Sequence, residues 1–211
     1  MVKKHHALLI GLREGAPWHP LDGIDSELSA ILAGLAELEV TTDRDRLSVL
    51  DEGRVDLLLV YDDHWDRALS DNQMASVIRF VAAGGGILVL HNGISWQKRP
   101  EFQTLLGAKF TGHPPFGTLT LRAATPDHPI CDDLPTSWTI DEEPYRFKPT
   151  AETEATVLYE YEHEGAWHPA AWVSDFCCGR VVYLMPGHSL ESFCHPVYRQ
   201  LIRQSAGWLL G

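Results

Sequence analysis

The run VDLLLVY at residues 55–61, which is apolar apart from Asp56, constrains the fold of this chain more than any other segment. A strand that is apolar at every position is buried on both faces, which is typical of the centre of a parallel sheet. The runs HALLIGL (6–12) and GILVL (86–90) are also mainly apolar. Because parallel neighbours need long crossover connections, we expect helices between these strands, packed on both faces of the sheet.

Amphipathic patterns fill the intervals between these strands. Apolar side chains recur at helical spacing from residue 24 to 38, so the sequence predicts one helix over that range, followed by a strand EVTTD (39–43). Residues 70–84 predict a second helix, which begins with a capping box formed by Ser70 and Gln73. The order β-α-β-β-α-β indicates an α/β fold with a mostly parallel central sheet.

The second half of the chain has the alternating texture of antiparallel strands. FGTLTLRAAT (116–125) and ATVLYEYE (155–162) each predict one strand, and residues 170–187 predict a β-hairpin that turns near Gly179. Pro196 then opens a closing helix. No linker or repeat interrupts the sequence, so we expect residues 1–211 to form a single domain.

Composition excludes several classes of function. The formal net charge is −12, and phosphate binding needs a basic face, so nucleic acid is not an expected partner. No apolar run approaches the roughly 20 residues of a membrane span. Four cysteines without a C-x-x-C pair, and no apolar leader after MVKK, favour a cytoplasmic location with reduced thiols. A homodimer is the commonest oligomer and is the expected one here.

Polar side chains follow the predicted parallel strands at the edge where ligands of open α/β sheets bind. They are Trp18 and His19 after the first strand, Asp62, Asp63, His64 and Trp65 after VDLLLVY, His91 and Asn92 after GILVL, and His188 after RVVYLMP. His91 is equally explained as a buried structural histidine or as a group facing the crevice. The glycines 84–86 precede their strand and lack the G-x-G-x-x-G order, so they indicate a helix stop rather than a dinucleotide site.

Two further segments carry candidate groups. His113 lies in FTGHPPF, where a rigid turn is the alternative explanation, and IDEEPYRF (140–147) brings Glu142, Glu143 and Tyr145 together. A fixed carboxylate beside histidines suits general acid–base chemistry or a metal site. Covalent catalysis by cysteine or serine is not expected, because no cysteine follows a parallel strand and no G-x-S-x-G motif exists.

Four stretches resemble, in this order, the landmarks of the ThuA-like family of trehalose-utilisation proteins. They are GGGILVLHNG (84–93), GAKFTGHPPF (107–116), DHPICDDLP (127–135) with IDEEPYRF, and GRVVYLMPGHSLESFCHP (179–196). The resemblance extends over residues 7–210. It implies the class I glutamine-amidotransferase-like fold, a flavodoxin-like three-layer sandwich, here with a β-hairpin extension.

The resemblance also implies which residues form the site. In amidotransferases the strand matching GILVL leads into the catalytic cysteine, but His91 and Asn92 stand at that position here, so glutamine hydrolysis is not expected. The family pattern carries over to His91, His113, Glu143 with Tyr145, and His188. Glu142 is the alternative carboxylate if the loop is shifted by one residue.

Together these expectations predict an enzyme of hydrolase or isomerase type that acts on a sugar. Its expected ligand is a small sugar-like molecule such as a keto-sugar or disaccharide. His91, His188 and Glu143 are the expected catalytic groups, and the expected substrate-binding residues are Asn92, His113, Tyr145, Trp18, His19 and Trp65. A divalent metal such as zinc, held by His91, His113 and His188, suits the same residues. The alternative is a non-catalytic sugar-binding module, or an interaction subunit, on the amidotransferase-like scaffold.

Overall fold

A nine-stranded sheet organises the molecule in the computed structural model, which describes residues 5–52 and 54–211. The strands are β1 (His5–Gly11), β2 (Ala36–Thr41), β3 (Leu57–Tyr61), β4 (Gly86–Leu90), β5 (Ala108–Gly112), β6 (Gly117–Ala123), β7 (Ser137–Glu142), β8 (Arg146–Pro149), β9 (Thr156–His163), β10 (Ala166–Phe176) and β11 (Gly179–Leu184). Their order in the sheet is β2-β1-β3-β4-β11-β10-β9-β6-β7, and β5 pairs with β8 in a separate two-stranded sheet.

The large sheet has a parallel half and an antiparallel half. Strands β2, β1, β3, β4 and β11 pair in parallel. Strands β10, β9, β6 and β7 continue the sheet in antiparallel pairs, beginning with the hairpin β10–β11. The α/β class and the flavodoxin-like sheet are confirmed, and three strands, β9, β6 and β7, extend the sheet beyond the hairpin.

Five α-helices of the described residues flank the sheet: α1 (Ile24–Leu32), α2 (Asp71–Ala82), α3 (Pro100–Leu106), α4 (Leu190–Cys194) and α5 (Pro196–Leu210). Helix α1 packs against α4 and α5, whereas α2 packs against α3. Strands β3 and β4 are buried at every position, as their uninterrupted apolar runs predict for the centre of a doubly covered sheet. No helix of the described ranges is long and apolar enough to cross a bilayer.

The helix predicted over residues 24–38 is wrong beyond Leu32. Gly34 has a positive φ of 79°, which ends the helix, and β2 begins at Ala36 rather than at residue 39. Leu38 and Val40 lie two residues apart on one side of β2, where they pack against the core. The apolar residues of a short turn and an edge strand therefore continued the helical spacing by coincidence.

The predicted start of α2 and the predicted start of α5 are confirmed by their cap geometry. The hydroxyl of Ser70 accepts a hydrogen bond from the backbone N–H of Gln73, and the Gln73 side chain accepts one from the Ser70 N–H. Gly107 caps α3 in the left-handed conformation, and Pro196 occupies the first turn of α5. These caps fix where the chain enters α2 and α5 and where it leaves α3.

Candidate functional site

Four side chains from four separate loops meet at the carboxyl edge of the sheet. His19 follows β1, His91 follows β4, His188 follows β11 and Glu143 follows β7. One ligand atom from each lies within 4.8 Å of the others. Three of the loops come from the parallel half, and the antiparallel half supplies the carboxylate. We call these four residues the His/Glu cluster.

Short distances connect the members of the His/Glu cluster. Oε2 of Glu143 lies 3.2 Å from Nδ1 of His188, 3.3 Å from Nε2 of His91 and 3.8 Å from Nε2 of His19. Nε2 of His19 is also 3.2 Å from Nδ1 of His188. His19 and His91 are buried, whereas His188 and Glu143 are partly exposed, so the cluster opens to solvent on one side.

His91 sits at a strained turn directly after β4. Its φ of 40° lies in the left-handed region that side chains other than glycine rarely adopt. The Tyr183 hydroxyl donates to the His91 carbonyl at 3.0 Å, and Gly93 packs so tightly that an added Cβ would lie 2.3 Å from the Val60 carbonyl oxygen. This packing holds the turn, and the turn directs the imidazole toward Glu143.

Each of the two buried rings is oriented by a hydrogen bond at Nδ1. Nδ1 of His91 lies 2.6 Å from the Met185 carbonyl oxygen, which can only accept, so this nitrogen carries a proton. Nδ1 of His19 lies 3.0 Å from Oδ1 of Asp63, and the indole N–H of Trp65 donates to the same oxygen at 2.8 Å. When neutral, both rings therefore direct the lone pair of Nε2 toward the Glu143 carboxylate.

Imidazole lone pairs and a carboxylate repel one another at these distances. The arrangement is therefore stable only when positive charge lies between them. For Glu143, burial acts to raise the pKa, but hydrogen bonds with His188, His19 and His91 outweigh it and hold the pKa well below its usual range. For His19, burial acts to lower the pKa, but the carboxylates of Asp63 and Glu143 outweigh it and raise the pKa. Burial lowers the pKa of His91, so His19 is the better proton acceptor of the two.

The structure distinguishes the two adjacent glutamates. Glu142 is fully buried and faces away from the imidazoles: it accepts the N–H groups of Gly187 at 2.6 Å and His188 at 3.2 Å, and the Ser192 hydroxyl. Its oxygens are committed to holding the loop that carries His188. Glu143 is therefore the carboxylate that faces the histidines.

The other predicted site residues lie around the His/Glu cluster rather than within it. Nε2 of His113 is 3.8 Å from Oε1 of Glu143, so His113 lies beside the His/Glu cluster, which contains His19 together with the predicted ligands His91 and His188. The Tyr145 ring is buried, 4.2 Å from that of His91. Trp65 contacts the site through Asp63, whereas Trp18 is 72% exposed.

Asn92 is buried, and neither polar atom of its amide has a hydrogen-bond partner among the described residues. Asp63 was not predicted to have a role of its own, although it belongs to the polar segment after β3. The signal in the sequence was DDHW (62–65) directly behind a buried strand. The turn after β3 decides which of the two aspartates faces the site. Asp63 contacts His19. Asp62 instead accepts a hydrogen bond from the Trp96 indole and forms an ion pair with Arg44.

Comparisons with known proteins agree with this architecture. A ThuA-like protein from Parabacteroides merdae has a TM-score of 0.83 at 18% identity, covering 99% of this chain and 90% of that one. A ThuA-like protein from Bacteroides uniformis gives 0.80 at 17% identity, covering 99% and 93%. A Salmonella typhimurium protein described as cytoplasmic gives 0.66 at 13% identity, covering 97% and 98%. At these identities the likeness shows a shared fold.

Sequence comparison gives the family. No curated protein matches the chain. The model of one protein family, ThuA, described by trehalose utilisation, matches residues 22–209. Because that match spans most of the sequence and the fold is shared with ThuA-like structures, the chain belongs to the ThuA family.

Proposed function

We propose that this protein is a metal-dependent enzyme of carbohydrate metabolism whose divalent cation, such as zinc, is held by His19, His91, His188 and Glu143. The orientation of the buried histidines is the observation that carries the proposal. Met185 and Asp63 fix Nδ1 of His91 and His19 as donors, so two Nε2 lone pairs point at one carboxylate. A divalent cation satisfies all these groups at once.

The spacing of the donor atoms supports the same proposal. Ligands about 2.0–2.1 Å from a tetrahedral zinc ion lie about 3.3 Å from one another. Oε2 of Glu143 is 3.2 Å from Nδ1 of His188 and 3.3 Å from Nε2 of His91. Nε2 of His19 is 3.2 Å from Nδ1 of His188. Three imidazoles and one carboxylate are also a donor set that zinc and other first-row divalent metals accept.

The carboxylates argue against a glycosidase of the ordinary two-carboxylate kind. That chemistry needs a pair of available carboxyl groups on either side of the glycosidic bond. Glu142 is occupied by backbone N–H groups and Ser192, and Asp63 by His19 and Trp65. Glu143 is therefore the carboxylate left to act at the cluster, with imidazoles as its partners.

The chain's own residues suit proton transfer on a sugar. A bound metal would supply polarisation of a sugar carbonyl or hydroxyl oxygen. His113 is exposed, and its Nε2 lies 3.8 Å from Oε1 of Glu143, which supports a role in exchanging a proton with a substrate at the open side of the cluster. Tyr145 forms a wall against His91 and His113. The proposed ligand is a small sugar-like molecule. We also propose that the protein is cytoplasmic and forms a homodimer.

Elemental analysis tests the metal. After dialysis against zinc and removal of excess ion, we expect stoichiometric zinc in the wild-type protein and a large loss in His91→Gln, His188→Gln and Glu143→Gln. His128→Gln is the control, because that ring packs against Trp208 on α5. Zinc retained in all three cluster variants would contradict the metal centre.

Turnover separates an enzyme from a binding module. A panel of sugars and oxidised sugars is incubated with the zinc-loaded protein and followed by NMR. We expect His113→Gln to reduce turnover while zinc content and sugar affinity stay unchanged. If the wild-type protein binds a sugar but turns over none of the panel, the binding module is the better description.

A further inference from the structure

Strand β7 is the last strand of the nine-stranded sheet and pairs there with β6 alone. In an antiparallel pair, successive residues direct their backbone N–H and C=O groups alternately toward the partner strand and away from it. The N–H of Ala123 donates to the Thr136 carbonyl at 2.8 Å, which sets the phase of this alternation. The backbone groups of Ser137, Thr139 and Asp141 therefore point away from β6, along a free edge of the sheet.

The two edge strands of the sheet differ in how well they are protected. Natural edge strands commonly carry charged side chains that discourage pairing with another chain. Strand β2, at the opposite edge, carries Glu37 and Glu39, and Arg46 pairs with Glu39 at 2.8 Å. Strand β7 instead exposes only the short side chains of Ser137, Thr139 and Asp141. Its edge is the one more open to an added strand.

A groove of about 400 Å³ lies along this edge, between β7 and α4. Residues 139–141 line one side, and Glu191, Ser192 and His195 line the other. An extended peptide can add to an exposed sheet edge, where its main-chain hydrogen bonds supply affinity and side-chain pockets supply specificity. Nδ1 of His195 is buried and has no hydrogen-bond partner among the described residues, so this wall of the groove offers an unpaired polar atom as well.

The charge of the groove indicates which peptide it accepts. Its lining includes the carboxylates of Asp141 and Glu191, and none of its described residues is lysine or arginine. Oδ1 of Asp141 accepts a hydrogen bond from the Thr118 hydroxyl, and Oε2 of Glu191 accepts one from the Ser189 hydroxyl. These neutral partners leave both negative charges uncompensated. A basic side chain directly opposite Asp141 on an added strand would compensate one of them, because opposite charges in that position attract.

We propose that the groove beside β7 docks an extended segment of a partner protein that contains lysine or arginine, and that this segment adds a further strand to the sheet. Its backbone pairs with Thr139 and Asp141, and its basic side chains face Asp141 and Glu191. The inference goes beyond the proposed function, because docking requires neither zinc nor any member of the His/Glu cluster.

Fluorescence polarisation with labelled synthetic peptides tests the docking. The first probe is a short peptide of alternating threonine and lysine, and the second has glutamate in place of lysine. We expect saturable binding of the lysine peptide alone, weakened by added salt. N-methylation of its lysine residues removes the backbone donors that would face β7 and keeps the charge, so it should abolish binding.

Variants of β7 and α4 locate the bound peptide. Thr139→Pro removes an N–H that points away from β6, so the ladder with β6 is kept, and binding should weaken about fivefold. Asp141→Asn combined with Glu191→Gln should weaken binding roughly fivefold at low salt. Glu154→Gln, which removes an exposed carboxylate after β8, is the control and should change nothing. Bound peptide should also slow amide hydrogen exchange in residues 137–142.

Three results would overturn the docking site: no saturable binding of the lysine peptide, equal binding after N-methylation, or unchanged affinity in the Asp141/Glu191 double variant. If the free protein is a dimer whose residues 137–142 are already protected from exchange, the edge belongs to a second copy of this chain and the partner segment is wrong. Zinc content should be the same in all these variants, so a failure of the metal centre and a failure of the docking site are seen separately.

Discussion

Asp63 shares one carboxylate oxygen between two side chains, the Nδ1–H of His19 and the indole N–H of Trp65. Mutation of a group that orients a metal ligand in this way typically lowers metal affinity by about 10–100-fold. We expect Asp63→Asn to weaken zinc binding by roughly tenfold and Asp63→Ala by more, because Ala leaves the imidazole free to rotate. Competition with a chromophoric chelator measures the affinity.

The control for Asp63 is Asp175→Asn, which alters an exposed carboxylate near the end of β10. It should leave zinc affinity unchanged. If Asp63→Asn binds zinc as tightly as the wild type while circular dichroism shows a native fold, Asp63 does not position His19.

The raised pKa of His19 predicts how stability depends on pH in the metal-free protein. A group whose pKa is raised by folding contributes stability below its unfolded pKa, and this contribution is lost as the pH rises through the folded value. Because burial lowers the pKa of His19 whereas Asp63 and Glu143 raise it, Glu143→Gln removes part of this gain. We therefore expect Glu143→Gln to be more destabilising at pH 6 than at pH 9.

Urea denaturation in the presence of a chelator measures this difference. Glu152→Gln, at an exposed loop position, should give the same free energy of unfolding as the wild type at both pH values. A destabilisation by Glu143→Gln that grows toward pH 9 would show that His19 is not the proton-binding partner of Glu143.

At the scale of secondary structure elements, the turn after β4 depends on the absence of a side chain at Gly93. An added Cβ would lie 2.3 Å from the Val60 carbonyl oxygen, so the 3-10 segment His91–Lys98 would have to shift. We expect Gly93→Ala to lower the free energy of unfolding by about 1–3 kcal/mol and to weaken zinc binding, because His91 shifts with the turn.

Gly207 in α5 is the matched control for Gly93. An added Cβ meets nothing within 4 Å there, and the residue is helical. Gly207→Ala should therefore raise the free energy of unfolding by about 0.5–1 kcal/mol, because alanine favours the helix and restricts the unfolded chain. Chemical denaturation compares the two variants, and equal effects at both positions would contradict the tight packing of the turn.

At the scale of the whole molecule, the His/Glu cluster joins the two halves of the sheet. His19, His91 and His188 come from the parallel half, whereas Glu143 comes from the antiparallel half. A metal that binds only the folded chain stabilises it by about 2.7 kcal/mol at a hundred times Kd. For a chain of this size we expect zinc to raise Tm by about 5–10 °C.

Differential scanning calorimetry with and without zinc measures this shift in Tm. His188→Gln and Glu143→Gln should each abolish most of it, because one removes a ligand from the parallel half and the other from the antiparallel half. An unchanged shift in both variants would place the bound zinc outside the cluster.

The sequence predicted the elements whose signals are local. Uninterrupted apolar runs identified β3 and β4, and the capping box of Ser70 and Gln73 marked the start of α2. The same kind of signal misplaced the end of α1, because Leu35 in the turn and Leu38 in the edge strand continued the helical spacing that Gly34 interrupts.

The sequence by itself determined the α/β class, the family resemblance and the loops that would meet at the carboxyl edge, because strand pattern and crossover topology bring strand ends together. Only the tertiary structure decided which side chains in those loops face one another. His19 lies 169 residues from His188 in the chain, yet their ring nitrogens are 3.2 Å apart. Glu142 and Glu143 are neighbours, yet one holds backbone N–H groups and the other faces the histidines. The turns of the loops and the tautomers of the histidines decide which side chains face one another. Both depend on contacts between segments far apart in the chain, which a local sequence pattern does not show.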